Sequence, residues 1–192
     1  IVLGAGLFFL PERSNYNEVK PKDLLKELNS QERFWSTDHV AEKLINNDPN
    51  LMLVDVRDFD QYLEYSLPVA MNIPLESILD SAWIEYFDQD DYDVVLFSNG
   101  DIYADQAWLL LSRQGYQNIY IMKGGLNCWA ETILQPVPPD ESEPTEAFEL
   151  YDFRKGASIY FGGSSQESPQ DGKQETITVT RKKKKTVVEG GC

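Results

Sequence analysis

The stretch VVLFSNGDIYADQAWLLL, Val94–Leu111, passes from four apolar residues through a polar turn into a helix-like pattern. The helical pattern runs from Asp101 and stops at Gly115, a favourable residue just past a helix end. In open α/β sheets the crevice beyond the carboxyl end of a parallel strand, facing a helix N-terminus, is the usual ligand site. This turn, Ser98-Asn99-Gly100-Asp101, holds no Cys, His, Lys or Arg. It is therefore an active site of unusual chemistry, a former one, or a turn.

Elements of the same kind lie on both sides of it. LMLVDV (Leu51–Val56), DVVLF (Asp93–Phe97) and NIYIM (Asn118–Met122) are short β-favouring runs, and AMNI near Ala70 is a weaker one. KPKDLLKELNSQERF places Leu24, Leu25 and Leu28 at helical spacing after Pro21. STDHVAEKLINND has Ser36 or Thr37 as N-cap and Val40, Ala41, Leu44 and Ile45 as its apolar face. Alternation at this pitch predicts an α/β fold, a mostly parallel central sheet of about five strands flanked by helices on both faces. The loops after Val54 and Phe97 should then open at one end of the sheet.

Two motifs at this point resemble a family. LVDVRDFDQYLEYSLPVAMNIPL (Leu53–Leu75) is similar to the first signature of the rhodanese-like domain, a strand, Asp-Val-Arg, an acidic helix, then Gly-His-Ile-Pro-Gly-Ala-x-Asn-Ile-Pro. Asp55, Val56, Arg57, Tyr62, Pro68, Ala70, Asn72, Ile73 and Pro74 match it. GYQNIYIMKGGLNCW (Gly115–Trp129) carries the Gly-Tyr, the strand, the Gly-Gly pair and the Trp of the closing signature. The resemblance covers about Ser36 to Ile133. It implies a compact α/β domain and, in active members, transfer of a sulfane sulfur through a persulfide on a loop cysteine.

That loop typically reads Cys-x-x-Gly-x-Arg after the strand. Here Gly100 keeps the glycine, Phe97 falls at the nucleophile and Ile102 at the arginine. The reaction needs a thiolate, stabilised by a helix N-terminus or a cation. Phe97 has no lone pair to offer, and the Ser98 hydroxyl has no base beside it, since His39, the single histidine, belongs to another helix. Ser98 and Asn99 read as turn residues. Asp101 and Asp105 would face an anionic donor with carboxylates where the family has a guanidinium. The loop Phe97-Ser98-Asn99-Gly100-Asp101-Ile102 therefore reads as vestigial, with no catalytic residue, no metal and no cofactor.

Asp55, Arg57 and Tyr103 are candidates to line the pocket. For Asp55 and Arg57 a scaffold role is the favoured alternative, with Asp55 capping the next loop and Arg57 paired to a carboxylate. Two Asp without a third ligand do not define a metal site. His39 reads as a capping or solvent-side residue, and Cys128, between Asn127 and Trp129, as a small buried hydrophobe. Phe97 and Tyr103 flank the loop, and an apolar mouth there could hold a side chain from an unknown protein partner.

Composition bounds the rest. The 192 residues carry a net charge of −15. Between Ser36 and Gln135 there are 17 Asp and Glu against four Lys and Arg, so the core repels nucleic acid phosphates and anionic lipid. The two cysteines, Cys128 and Cys192, support neither a disulfide framework nor a zinc site. Residues 1–12, opening IVLGAGLFFL, read as the remnant of a signal peptide or membrane anchor whose start lies outside the chain. Residues 13–35 form a helical lead-in and 36–135 the domain. Residues 136–163 are a linker and an extension too apolar to hang free, and 164–192 a tail with the basic run RKKKK, read as solvated, or as attracted to an anionic membrane or another copy.

These readings converge on a catalytically inactive rhodanese-like domain acting as a binding or interaction module. It would be membrane-tethered or exported, periplasmic in a Gram-negative cell, and reach the membrane through the N-terminal segment. The alternative is a sulfurtransferase or sulfur carrier that uses Cys192, or Cys128, in place of the loop cysteine.

Overall fold

In a computed structural model of the chain, the residues described are 18–163. Residues 1–12, read above as an anchor remnant, the tail 164–192 and Cys192 lie outside them. Five strands, β1 (Phe34–Trp35), β2 (Leu51–Asp55), β3 (Met71–Asn72), β4 (Asp93–Phe97) and β5 (Ile119–Met122), form one sheet in the order β1-β5-β4-β2-β3. Every pairing is parallel, with Asp55 beside Phe97 and Leu96 beside Ile121.

Strand alternation divides the core into two layers. Leu53, Val95, Phe97 and Met122 point to one face, where they meet Val40 and Leu44 of α2 (Thr37–Ile45) and Leu126 and Trp129 of α6 (Gly125–Trp129). Val54, Val94, Leu96, Ile119 and Ile121 point to the other, against Ala104, Ala107, Trp108 and Leu111 of α5 (Asp101–Arg113), with Leu28 of α1 (Pro21–Leu28) and Phe87 of α4 (Ile84–Phe87) at its margins. Between β2 and β3 runs α3 (Phe59–Glu64), which buries none of its residues. The α/β sheet covered on both faces is thus present. The sequence pattern missed β1, two residues at the end of a run that reads as helix, and α4, a single short turn.

The stretch after the Pro-rich segment forms α7 (Thr145–Phe161). It lies on α2 and on the π-helical turn Ala130–Leu134. Arg154 holds Asp38 through two bonds of 2.7 Å, and the Ser158 hydroxyl donates to Leu134 O at 2.9 Å. Among the described residues, no helix is long and apolar enough to cross a membrane.

One backbone position is strained. Val69 has φ 59° and is 84% exposed, at the place where the family signature carries glycine. A β-branched side chain in the left-handed region costs roughly 1–3 kcal/mol. Replacing Val69 by Gly should therefore raise the unfolding free energy in urea by about 1 kcal/mol, after the extra chain entropy of glycine is subtracted. A lowered midpoint would show that Val69 is held by contacts instead of merely tolerated.

Candidate functional site

The loop 98–100 leaves β4 at the topological switch point of the sheet. The chain turns from β4 into α5 on one face, whereas from β5 it turns into α6 on the other. In this protein the crevice is closed by backbone. The N–H groups of Leu126 and Asn127 donate to Ser98 O and Asn99 O, both at 2.9 Å, and Gly124 N–H donates to an Asp101 carboxylate oxygen. The Gly-Gly pair makes this approach possible. A Cβ on Gly125, which has φ 56°, would sit 2.3 Å from Ser98 O, a distance no side chain tolerates.

Beneath the loop lies a buried ion pair. Asp55 ends β2 with no exposed surface, and its Oδ1 accepts from the backbone N–H and Nε of Arg57 at 3.1 and 2.9 Å. Its Oδ2 accepts from Arg57 Nη2 and from the Ser66 hydroxyl, both at 2.7 Å. Arg57 spends its remaining reach on Tyr65 O at 2.5 Å and on Asn99 Oδ1 at 2.9 Å. The guanidinium thus ties the loop after β2 to the loop after β4. The other signature residues support the same knot: Asn72 Nδ2 donates to Asp55 O and Arg57 O at 3.0 and 2.8 Å, and the Tyr62 hydroxyl to Ala70 O at 3.1 Å. Burial holds the neighbouring Tyr65 hydroxyl above the ordinary tyrosine range, against the opposing pull of the Trp129 indole and of Arg57.

Two expectations change here, at Asp55 with Arg57 and at Phe97, while the reading of Ser98 as a turn residue holds. Asp55 and Arg57 do not line the pocket; they are the buried scaffold pair of the favoured alternative, each bonded to the other. Phe97 does not flank the mouth; it is 0% exposed, since strand alternation turns its ring into the layer with Leu53 and Trp129. Ser98 is buried too, and its hydroxyl donates to Gly100 O at 2.6 Å, as a turn serine does.

What faces solvent is the outer wall of the loop. Ser98, Asn99, Gly100, Ile102 and Tyr103 line an open cleft of about 240 Å³. Tyr103 also borders a smaller one of about 160 Å³, shared with Val56, Asp58, Leu75 and Glu76. Ile102 is 72% and Tyr103 52% exposed. Asp58 and Glu76 escaped sequence reasoning because each reads as an ordinary surface carboxylate until the fold sets it beside Tyr103. Asn99 was visible as a loop residue, but not as the acceptor of Arg57. His39 lies elsewhere, in the first turn of α2, its N–H on the Ser36 hydroxyl at 3.1 Å and its ring edge-on to Trp35. Cys128 is half-buried, its N–H on Gly124 O.

A five-stranded parallel sheet with its β4–α5 loop seated on a Gly-Gly helix start defines a rhodanese-like α/β domain. The family model of the rhodanese-like domain matches residues 37–132, half of the chain, and the chain belongs to that family. It is 28% identical over 131 residues to a tRNA uridine(34) hydroxylase of Acinetobacter baumannii, covering 65% of this chain and 37% of that protein. It is 27% identical over 92 residues to the centrosomal protein of 41 kDa of Gallus gallus, covering 45% and 25%. A sulfurtransferase of Allochromatium vinosum is 26% identical over 105 residues, 54% of this chain and 94% of the relative. The chain thus spans only a quarter to about two fifths of the first two relatives. Among solved structures, the rhodanese-like domain of an Anabaena protein superposes with a TM-score of 0.47 at 19% identity, over 82% of this chain and 98% of that one.

Removing one member of a buried, hydrogen-bonded ion pair strands the other, at roughly 3–5 kcal/mol. Arg57→Met should lose about that much in chemical denaturation, and Arg57→Lys should recover only part of it, because an ammonium cannot reproduce the fork that reaches Asp55, Tyr65 and Asn99 together. A loss under about 1 kcal/mol for Arg57→Met would mean that water replaces the guanidinium, as at an exposed pair.

Proposed function

We propose that this rhodanese-like domain has no sulfurtransferase activity and works as a binding module, its loop mouth taking a side chain from a protein partner. The observation that carries the reading is the exchange of both chemical groups: an aromatic ring sealed in the core at Phe97, and an exposed aliphatic side chain at Ile102, where a nucleophile and a cation would serve a persulfide. The mouth keeps the concave shape of a site and presents apolar surface at Ile102 and Tyr103. The tRNA chemistry named for some relatives does not carry over easily to a core with 17 carboxylates against four cations, which repels phosphates. The same proposal places the domain outside the cytoplasm, exported or tethered through the apolar run Ile1–Leu10.

The competing reading is a sulfur carrier that uses Cys192 or Cys128. With thiosulfate and cyanide, the full chain should form no thiocyanate above background, and mass analysis should find neither cysteine persulfidated. Turnover that disappears in Cys192→Ala would sink the binding-module reading, and turnover that survives it would point to Cys128.

The mouth is tested by mutation and capture. Ile102→Ser and Tyr103→Ala should abolish retention of a partner while shifting stability within about 0.5 kcal/mol, as exposed positions do. Phe97→Ala should do the reverse, losing about 3–5 kcal/mol to the cavity it leaves while the fraction that stays folded still binds.

A further inference from the structure

Four large apolar side chains stand out from the loop end of the sheet. Ile102 and Tyr103 begin α5, and Phe59 and Leu63, 59% and 64% exposed, stand one turn apart on α3 and share one of its faces. The two helices follow β2 and β4, which pair side by side up to Asp55 and Phe97, and Asp58 at the start of α3 walls the smaller cleft with Tyr103. Exposed apolar side chains grouped around a cleft, as Ile102 and Tyr103 are, commonly mark a surface that meets a partner.

The charged residues of that wall and of α3 are all acidic. Glu76 and Asp58 share the wall with Tyr103, while Asp60 and Glu64 lie on α3. Arg57, which follows Val56 of that wall, is buried against Asp55 and leaves the wall no free positive charge. A matching occupant must therefore offer both apolar and cationic groups. One segment of this chain does: Thr176–Val188, TITVTRKKKKTVV, sets Arg181–Lys185 between Ile177 and Val179 on one side and Val187 and Val188 on the other. Fourteen residues lead from Gly163 to Ile177. Fully extended, they bridge about 45–50 Å, more than the roughly 40 Å breadth of a domain this size. Tethering also raises the local concentration of the segment to the order of millimolar.

We propose that Thr176–Val188 docks in cis on this face, its basic run against the carboxylates of Asp58 and Glu76 and its apolar residues over Ile102 and Tyr103, so that the chain covers its own binding mouth. The proposal rests on the reading of the mouth as a binding site and adds regulation: an outside partner must displace the segment, and salt favours that exchange.

Zero-length carbodiimide coupling of lysine amines to carboxylates tests it, on dilute full-length protein mixed in equal parts with its ¹⁵N-labelled form and read by mass spectrometry. Links from Lys182–Lys185 to Asp58 or Glu76 should appear within single isotopic species. They should fall at least about fivefold in 0.5 M salt and in the double variant Ile102→Ser, Tyr103→Ser, whose circular dichroism should stay native. Links spread evenly over remote carboxylates such as Asp90 and Glu131 would overturn the proposal. Mixed-isotope links would overturn it as well, by making a second copy the occupant. Either result leaves the binding-module reading intact if partner capture is still lost on mutating Ile102 and Tyr103, whereas thiocyanate turnover removes that reading whatever the tail does.

Discussion

The fold at its functional end hangs on the Asp55–Arg57 pair. A carboxylate at the end of a buried parallel strand has no water to solvate it, so every lone pair must find a donor within the protein. Asp55 finds four bonds, three of them from the residue two places on, and this geometry forces the chain into a tight turn as it leaves β2. The same guanidinium then reaches Tyr65 O and Asn99, so the segment before β3 and the loop after β4 take their positions from one side chain. Asn72 completes the arrangement by donating to the carbonyls of both partners. These residues make a scaffold, and the scaffold is indifferent to whether the loop above it carries a nucleophile.

The second constraint acts from the opposite side. Gly124 and Gly125, both at positive φ, start α6 so close to the β4–α5 loop that two of its carbonyls fill the first amides of the helix. The loop is therefore clamped by Arg57 beneath and by α6 beside it. A loop fixed in this way keeps its shape when its side chains change. That is why Ile102 and Tyr103 still project into solvent around a cleft, although neither offers an acid, a base or a charge.

The sheet, its parallel sense and the covering of both faces were legible because β2, β4 and β5 are long enough to show a period and are separated by helices. β3 showed only as the weaker run AMNI, and β1, two residues, carries no such run; its place comes from hydrogen bonds to β5. For the site, the loop position and the presence of Phe97 and Ile102 where the family motif carries Cys and Arg could be read from the resemblance. The direction of the Phe97 ring could not, because it depends on which residues of β4 face α2 and α6. Asp58, Glu76 and the bond from Arg57 to Asn99 were hidden for a different reason. Their partners lie 27 to 45 residues away in sequence, and nothing local distinguishes them from other polar surface residues.

The substitution at Phe97 has a consequence for stability as well as for chemistry. A reactive thiolate at this position must be held charged at the margin of an apolar layer, by a nearby cation and by loop amides left free for substrate. Such arrangements cost stability, which active proteins tolerate because catalysis requires them. Here a fully buried phenyl ring extends the layer of Leu53, Val95 and Trp129 to the end of β4. Burial of a ring of this size stabilises by roughly 1.5–3 kcal/mol relative to leaving it exposed. The end of β4 is then held by packing, and the exposed side chains above it, Ile102 and Tyr103, take no part in that packing.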